Sequence, residues 1–202
     1  MKKLIAMMSA GVLLLALGGC GKQEEVPAPS VQGEPLDKTN VVITVENYGE
    51  IEAELDPNAA PLTVENFLKL TEEGFYDGLT FHRIIDGFMI QGGDPEGTGM
   101  GGAEEKIPGE FSKNGVDNPI RHERGVLSMA RSQDPNSASS QFFIVHQDAP
   151  HLDGQYAAFG RVTSGMEVVD AICEAVRVED GNGTVLPENQ PVITSIVVKD
   201  GE

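Results

Sequence analysis

A mainly β fold, a closed antiparallel barrel capped by two α-helices, is the class that this 202-residue sequence predicts. Three observations carry the prediction. Glycine and proline, 24 and 12 residues, are spread along the whole chain and supply the tight turns that all-β proteins need. Several short apolar runs are rich in Val, Ile and Phe, the residues that fit a pleated surface. Only two segments carry a helical period, and strands and helices do not alternate as βαβ units, which sets aside a doubly wound sheet. Closure is expected because it removes exposed strand edges.

The elements follow in order. VVITVENYGEIEAELD reads as two strands joined at Asn47-Tyr48-Gly49, a hairpin. APLTVENFLKLTEEGFYDG has a proline near its start, Val64, Phe67, Leu68 and Leu70 on roughly one face and Gly74 at its end, the pattern of an amphipathic helix. FHRIIDGFMIQ, from Phe81 to Gln91, reads as one strand, and a Gly-rich loop runs from Gly92 to about Arg124. GVLSMA and SQFFIVH are further strands, and AAFGRV is another after a turn at Leu152-Asp153-Gly154. SGMEVVDAICEAVRV repeats the helix signal with Val168, Val169, Ile172 and Val176 clustered for burial. Cys173 in this helix reads as a buried structural thiol. VITSIVVKD is the final strand, and no internal repeat is present.

Composition limits function. The formal charge is -18, which repels nucleic acid and excludes a basic patch on anionic lipid. Residues 1–19 carry Lys2 and Lys3, an apolar run from Leu4 to Leu17 and two small residues before Cys20, the layout of an export signal. That run is shorter than the about 20 residues of a membrane span. Leu17-Gly18-Gly19-Cys20 resembles the lipobox of bacterial lipoproteins. The resemblance implies that Cys20 becomes the first, lipidated residue, with palmitate-class chains holding the protein to the cell membrane on its non-cytoplasmic side. Residues 20–40, polar and rich in Pro and Glu, are expected to form a flexible tether, with the folded domain at 41–202.

Most chemical motifs are absent or empty. Gly97, Gly99 and Gly102 satisfy G-x-G-x-x-G, but no helix opens after them, so the run reads as a turning loop rather than a phosphate cradle. His122, His146 and His151 lack the close spacing of a zinc site, and no G-x-S-x-G is present. Asn182-Gly183-Thr184 matches a glycosylation acceptor only in form. What remains is a guanidinium inside an apolar strand. On an ideal strand Arg83 shares a face with Phe81 and Ile85, while His82 and Ile84 point the other way. A sheltered Arg cannot shed its charge, so it must meet either an acid or a substrate acceptor.

FHRIIDGFMIQGGD, followed in order by GVLSMA, NSASSQFFI and LDGQYAAFGRV, is similar to the cyclophilin peptidyl-prolyl isomerases from about Val41 to the C-terminus. The resemblance implies an eight-stranded barrel with two helices, an isomerase without metal or cofactor, and proline-containing polypeptides as substrates of a monomeric enzyme. It implies Arg83 as the catalytic residue. It lines the substrate groove with His82, Phe88, Met89, Gln91, Ala130, Gln141, Phe143, Leu152 and Tyr156, with Arg131 contributing through its backbone. Phe88, Met89, Phe143 and Leu152 would accept the proline ring. The chain departs from the family in places. His151 stands where well-known eukaryotic members have an indole, which implies weak cyclosporin binding, and Tyr156 replaces the usual groove histidine. Asp86 stands where many members have proline, and SQDPNSAS is one residue longer than the common loop. A binding module or chaperone that holds proline segments with little turnover is the alternative reading.

Overall fold

The computed structural model describes residues 35–199. The predicted export signal, Cys20 and most of the predicted tether lie outside the described residues. In chain order the elements are β1 (Thr39–Val45), β2 (Gly49–Leu55), α1 (Pro61–Glu72), β3 (Thr80–Ile85), β4 (Met89–Asp94), β5 (Val126–Met129), β6 (Phe142–Val145), β7 (Ala158–Ser164), α2 (Met166–Ala175) and β8 (Ile193–Lys199). The strands form one antiparallel sheet in the order β3-β4-β6-β5-β7-β2-β1-β8.

The expected closure does not occur. The sheet is an open, strongly curled half-barrel that sweeps 238° round its axis and leaves its edges 6 Å apart. The edge strands, β3 and β8, are linked near Thr80 by an isolated bridge to Val192 and by Phe81 N–H donating to the Pro191 carbonyl at 2.9 Å. Pro191 has no N–H with which to extend a ladder. Further along β3 another segment takes the free edge. Ile84 N–H donates to the Gly183 carbonyl at 2.8 Å, and Val185 N–H donates to the His82 carbonyl at 3.1 Å. The loop before β8 therefore covers the edge that closure was expected to remove. Gly183 makes this possible, since its φ is +80° and a Cβ there would run into the Ile84 carbonyl.

One face of the sheet carries the main core. Phe67 of α1 meets Tyr76, Phe142 and Phe159 at centroid separations of 5.1, 5.4 and 5.2 Å. Val168, Val169, Ile172 and Cys173 bury one face of α2 as the periodicity predicts. No side chain of its own caps the start of α1; the buried Glu110 does so from the long loop, accepting from Leu62 N–H at 3.1 Å and Thr63 N–H at 2.8 Å.

One strand of the sequence reading is two. Phe81–Gln91 folds back at Asp86-Gly87, with Gly87 at φ +75°, so β3 and β4 form a hairpin. Its register also shifts between Phe81 and Arg83, where Phe81 faces Gly92 and Arg83 faces Gln91. The irregularity breaks the alternation assumed for an ideal strand. Phe81 and Ile84 both enter the main core, and Arg83 turns to the other side, away from Phe81.

Candidate active site

A second, smaller apolar cluster lies outside the main core. Met89, Phe143, Val126, Val145, Ala158 and Leu152 belong to it, with Phe88, Ala130 and Tyr156 packed against it. Strand alternation builds it: Ile90 and Phe142 go to the main core while their neighbours Met89 and Phe143 go to this one. Over the cluster lies a cavity of about 620 Å³. Met89 and Phe143 are 1% and 5% exposed, so their side chains form a packed floor.

Arg83 stands at the edge of that floor. Its Nε donates to the Asn182 carbonyl at 2.8 Å and its Nη1 to Gln91 Oε1 at 3.2 Å, with the Met89 sulfur at 4.0 Å. Both oxygens are uncharged. Among the described residues Arg83 takes part in no ion pair. Burial pulls its pKa down from the ordinary value, with Tyr156 and Asp180 opposing. Gln91 is oriented in turn: its Nε2 donates to Gln141 Oε1 at 2.8 Å, and Gln141 Nε2 donates to the Gly101 carbonyl at 2.8 Å. Asp180 accepts from Asn182 and Thr184 N–H at 2.9 and 3.1 Å, fixing the turn that presents the Asn182 carbonyl.

His82 is 5% exposed, and neither ring nitrogen has a hydrogen-bond partner among the described residues. Leaving a buried polar group unpaired costs about 1–3 kcal/mol. Burial lowers its pKa, Asp94 opposes and Arg83 assists. The neighbouring loop explains the glycine run. Asp94 folds its carboxylate back into the turn and accepts from the N–H groups of Glu96, Thr98, Gly99 and Gly101 at 2.9, 3.0, 2.5 and 3.3 Å. Burial works to raise the Asp94 carboxyl, but those donors hold it below its usual range. The anion nest of the glycine motif is thus filled by the protein's own carboxylate.

The floor is buttressed from behind. The His122 ring lies against Phe143 at 6.1 Å and 19°. Its Nδ1 is 3.0 Å from Asp153 Oδ1 and its Nε2 is 3.0 Å from Ser128 Oγ. This Asp–His–Ser order resembles a nucleophile relay, yet Ser128 is 0% exposed and no substrate reaches it. Burial lowers the His122 pKa, with Asp153 opposing, and with its hydroxyl out of reach the chain orients rings rather than presents a nucleophile. Tyr156 stands edge-on to Phe143 at 5.9 Å, and the Arg131 guanidinium lies 4.6 Å over Tyr156 and 5.1 Å over Phe111. The Arg131 side chain therefore has a packing role in addition to the backbone role expected for it.

The cavity wall brings together His82, Arg83, Phe88, Met89, Gln91, Ala130, Arg131, Phe143, Leu152 and Tyr156. Gln141 lines a neighbouring cavity that shares Gln91, Ala130 and Arg131 with the first. His151 packs on Phe88 at 5.4 Å. Sequence reasoning missed the far wall, which Asn182, Thr184 and Leu186 contribute with Gly97 and Gly99. Nothing local in the 179–190 segment advertises that placement; it follows only from the pairing of Gly183 and Val185 with β3.

Residues 40–198 match the model of the cyclophilin-type peptidyl-prolyl cis-trans isomerases. The chain is 55% identical over 123 residues to peptidyl-prolyl cis-trans isomerase B of Bacillus subtilis (strain 168), covering 61% of this chain and 82% of the relative. It is 44% identical over 144 residues to a peptidyl-prolyl cis-trans isomerase of Helicobacter pylori (strain J99), covering 70% and 86%. A crystal structure of a cyclophilin-type isomerase from Cryptosporidium parvum superposes with a TM-score of 0.72 at 34% identity, covering 82% of this chain and 100% of that one. A structure of the same protein in the presence of the dipeptide Ala-Pro gives 0.70 at 35% identity, covering 80% and 99%.

Proposed function

The chain belongs to the cyclophilin-type peptidyl-prolyl cis-trans isomerases and is an enzyme acting on proline-containing polypeptides, and from that premise we propose that Arg83 is its catalytic residue. Rotation about a peptide bond crosses a barrier of about 18–20 kcal/mol because conjugation between nitrogen and carbonyl is lost. At the twisted geometry the prolyl nitrogen regains a lone pair. A fixed donor beside that nitrogen binds the twisted form better than either planar form, and only such differential binding accelerates the step. The observation that carries this reading is that Arg83, held at Nε and Nη1 by uncharged oxygens, keeps an unneutralised charge beside an apolar cavity. Nη2, engaged by neither contact, is the donor assigned to the imide nitrogen. Met89, Phe143, Phe88 and Leu152 take the proline ring. Gln91, Gln141 and the backbone near Ala130 and Arg131 hold the flanking peptide, and His82 and Tyr156 close the sides. No bond to substrate forms, and stabilisation is electrostatic and positional.

The cell-biological half of the proposal rests on sequence alone. Removal of residues 1–19 and lipidation of Cys20 tether domain 41–202 to the cell membrane outside the cytoplasm, where exported chains fold and prolyl steps take roughly tens to hundreds of seconds uncatalysed. The experiment pairs isomerisation of an X-Pro peptide by the full chain and by Arg83→Ala with mass analysis of the mature N-terminus. Unchanged turnover in a folded Arg83→Ala protein rejects the role of Arg83. A mature chain without acyl mass on Cys20 rejects the anchor and leaves the catalytic assignment standing.

A further inference from the structure

We propose that Asp86, His146 and Cys173 form a binding site for a thiophilic divalent cation of the zinc class beneath the β3–β4 turn. The three residues are far apart in sequence and arrive from the turn, the end of β6 and α2. One ligand atom from each lies within 4.8 Å of the others, and Asp86 Oδ1 is 3.4 Å from His146 Nδ1. Sulfur, imidazole and a single carboxylate oxygen form a donor set for zinc rather than for magnesium or calcium. Three protein ligands leave a fourth, tetrahedral position for water.

The imidazole is already oriented as a ligand. His146 Nε2 lies 2.9 Å from Asp170 Oδ1, and Arg124 holds Asp170 at 2.8 Å. A carboxylate on the far nitrogen keeps the proton there and leaves the near nitrogen with its lone pair, the arrangement that supports metal-bound histidines. His146 Nδ1 uses that lone pair to accept from Gly87 N–H at 2.9 Å. A cation replaces this hydrogen bond, and the N–H, in a turn whose neighbour Asp86 is 79% exposed, passes to water.

Cys173 is a free thiol, 8% exposed. Burial, then the Asp86 and Asp170 carboxylates, push it up to about 12 against the opposing Arg124, so a bare thiolate does not form. The same negative surroundings attract a cation. On binding, the S–H bond breaks, its proton leaves to water and a sulfur–metal bond forms with no change of oxidation state. None of the three residues lines the substrate cavity. The site nevertheless clamps the turn that leads into Phe88, whose carbonyl accepts from His146 N–H at 2.8 Å.

The test uses the full chain carrying Cys20→Ser, which leaves Cys173 as its one cysteine. Titration with Cd²⁺ is followed by the cadmium–thiolate charge-transfer band, with Zn²⁺ as competitor. The expected result is a band that saturates at one equivalent, is displaced by Zn²⁺ and is absent in Cys173→Ser. Asp170→Asn, which alters the carboxylate on the far imidazole nitrogen, should weaken binding by about 10–100-fold. Asp86→Asn changes an exposed residue and removes a proposed ligand, so it should weaken binding by at least about tenfold, the lower bound for losing a carboxylate that only supports a ligand. Retained isomerase activity in Cys173→Ser shows that the variant folds. Absence of a saturable one-to-one band overturns the proposal, as does a Cd²⁺ affinity within about twofold of the parent in Asp86→Asn.

Discussion

The β1–β2 and β3–β4 hairpins are neighbours in the sequence and opposites in construction. The first pairs seven residues without a break, from Thr39 with Leu55 to Val45 with Gly49, and buries Val41, Ile43, Ile51, Ala53 and Leu55 completely. The second slips register at Thr80 and again between Phe81 and Arg83, buries a histidine with no hydrogen-bond partner among the described residues and carries a guanidinium. The difference separates two tasks. Strict alternation maximises burial on one face, whereas a register shift rotates a chosen side chain off that face. Arg83 reaches the groove because β3 gives up regularity there.

That contrast can be broken from either side. Truncating Ile51→Ala in the regular hairpin should give the largest effect, a loss of about 2–5 kcal/mol of stability with turnover per folded molecule unchanged, read by denaturant unfolding beside the isomerase assay. Arg83→Ala in the irregular hairpin should do the reverse: a loss of about 10²–10³ in kcat/KM, the scale for removing one preorganised donor, at little cost to the unfolding midpoint. Equal losses of stability in the two variants would erase the distinction. Gln141→Leu cuts the support of Gln91 and should lower kcat/KM by about 3–10-fold, near 1 kcal/mol for one hydrogen bond.

The smallest effect is with pH. His82 and His122 both have pKa values lowered by burial from the ordinary 6.5. Between the lowered and ordinary values the unfolded chain binds more protons than the native one, so stability rises with pH across that window and is lost as pH falls through the folded values. Thermal unfolding from pH 8 down to pH 5 should show the decline, and His82→Gln should reduce its slope. A slope unchanged in His82→Gln would assign the dependence to His122 alone.

Much of the site was legible through the resemblance of a few ordered sequence blocks to the cyclophilins. FHRIIDGFMIQ supplies Arg83, His82, Phe88, Met89 and Gln91, and the short blocks after it supply Ala130, Gln141, Phe143, Leu152 and Tyr156. What was not legible depends on partners far along the chain. The Asn182 carbonyl that fixes Arg83 and the Glu110 carboxylate that caps α1 both come from loops without periodicity.

The sequence by itself determined the two helices, through their apolar spacing, and the mainly β class, because hydrophobic period and turn residues act over a few positions. Through the family resemblance it also named residues that the fold brings to one cavity. Only the tertiary structure decided that the sheet stays open, with a loop segment rather than a strand pairing along the outer edge of β3. It also decided which face Arg83 occupies and that Asp94 fills its own glycine nest. Each of these is a hydrogen-bond choice between backbone groups or side chains that local sequence leaves equally free, and the choice is made only when distant segments are brought together.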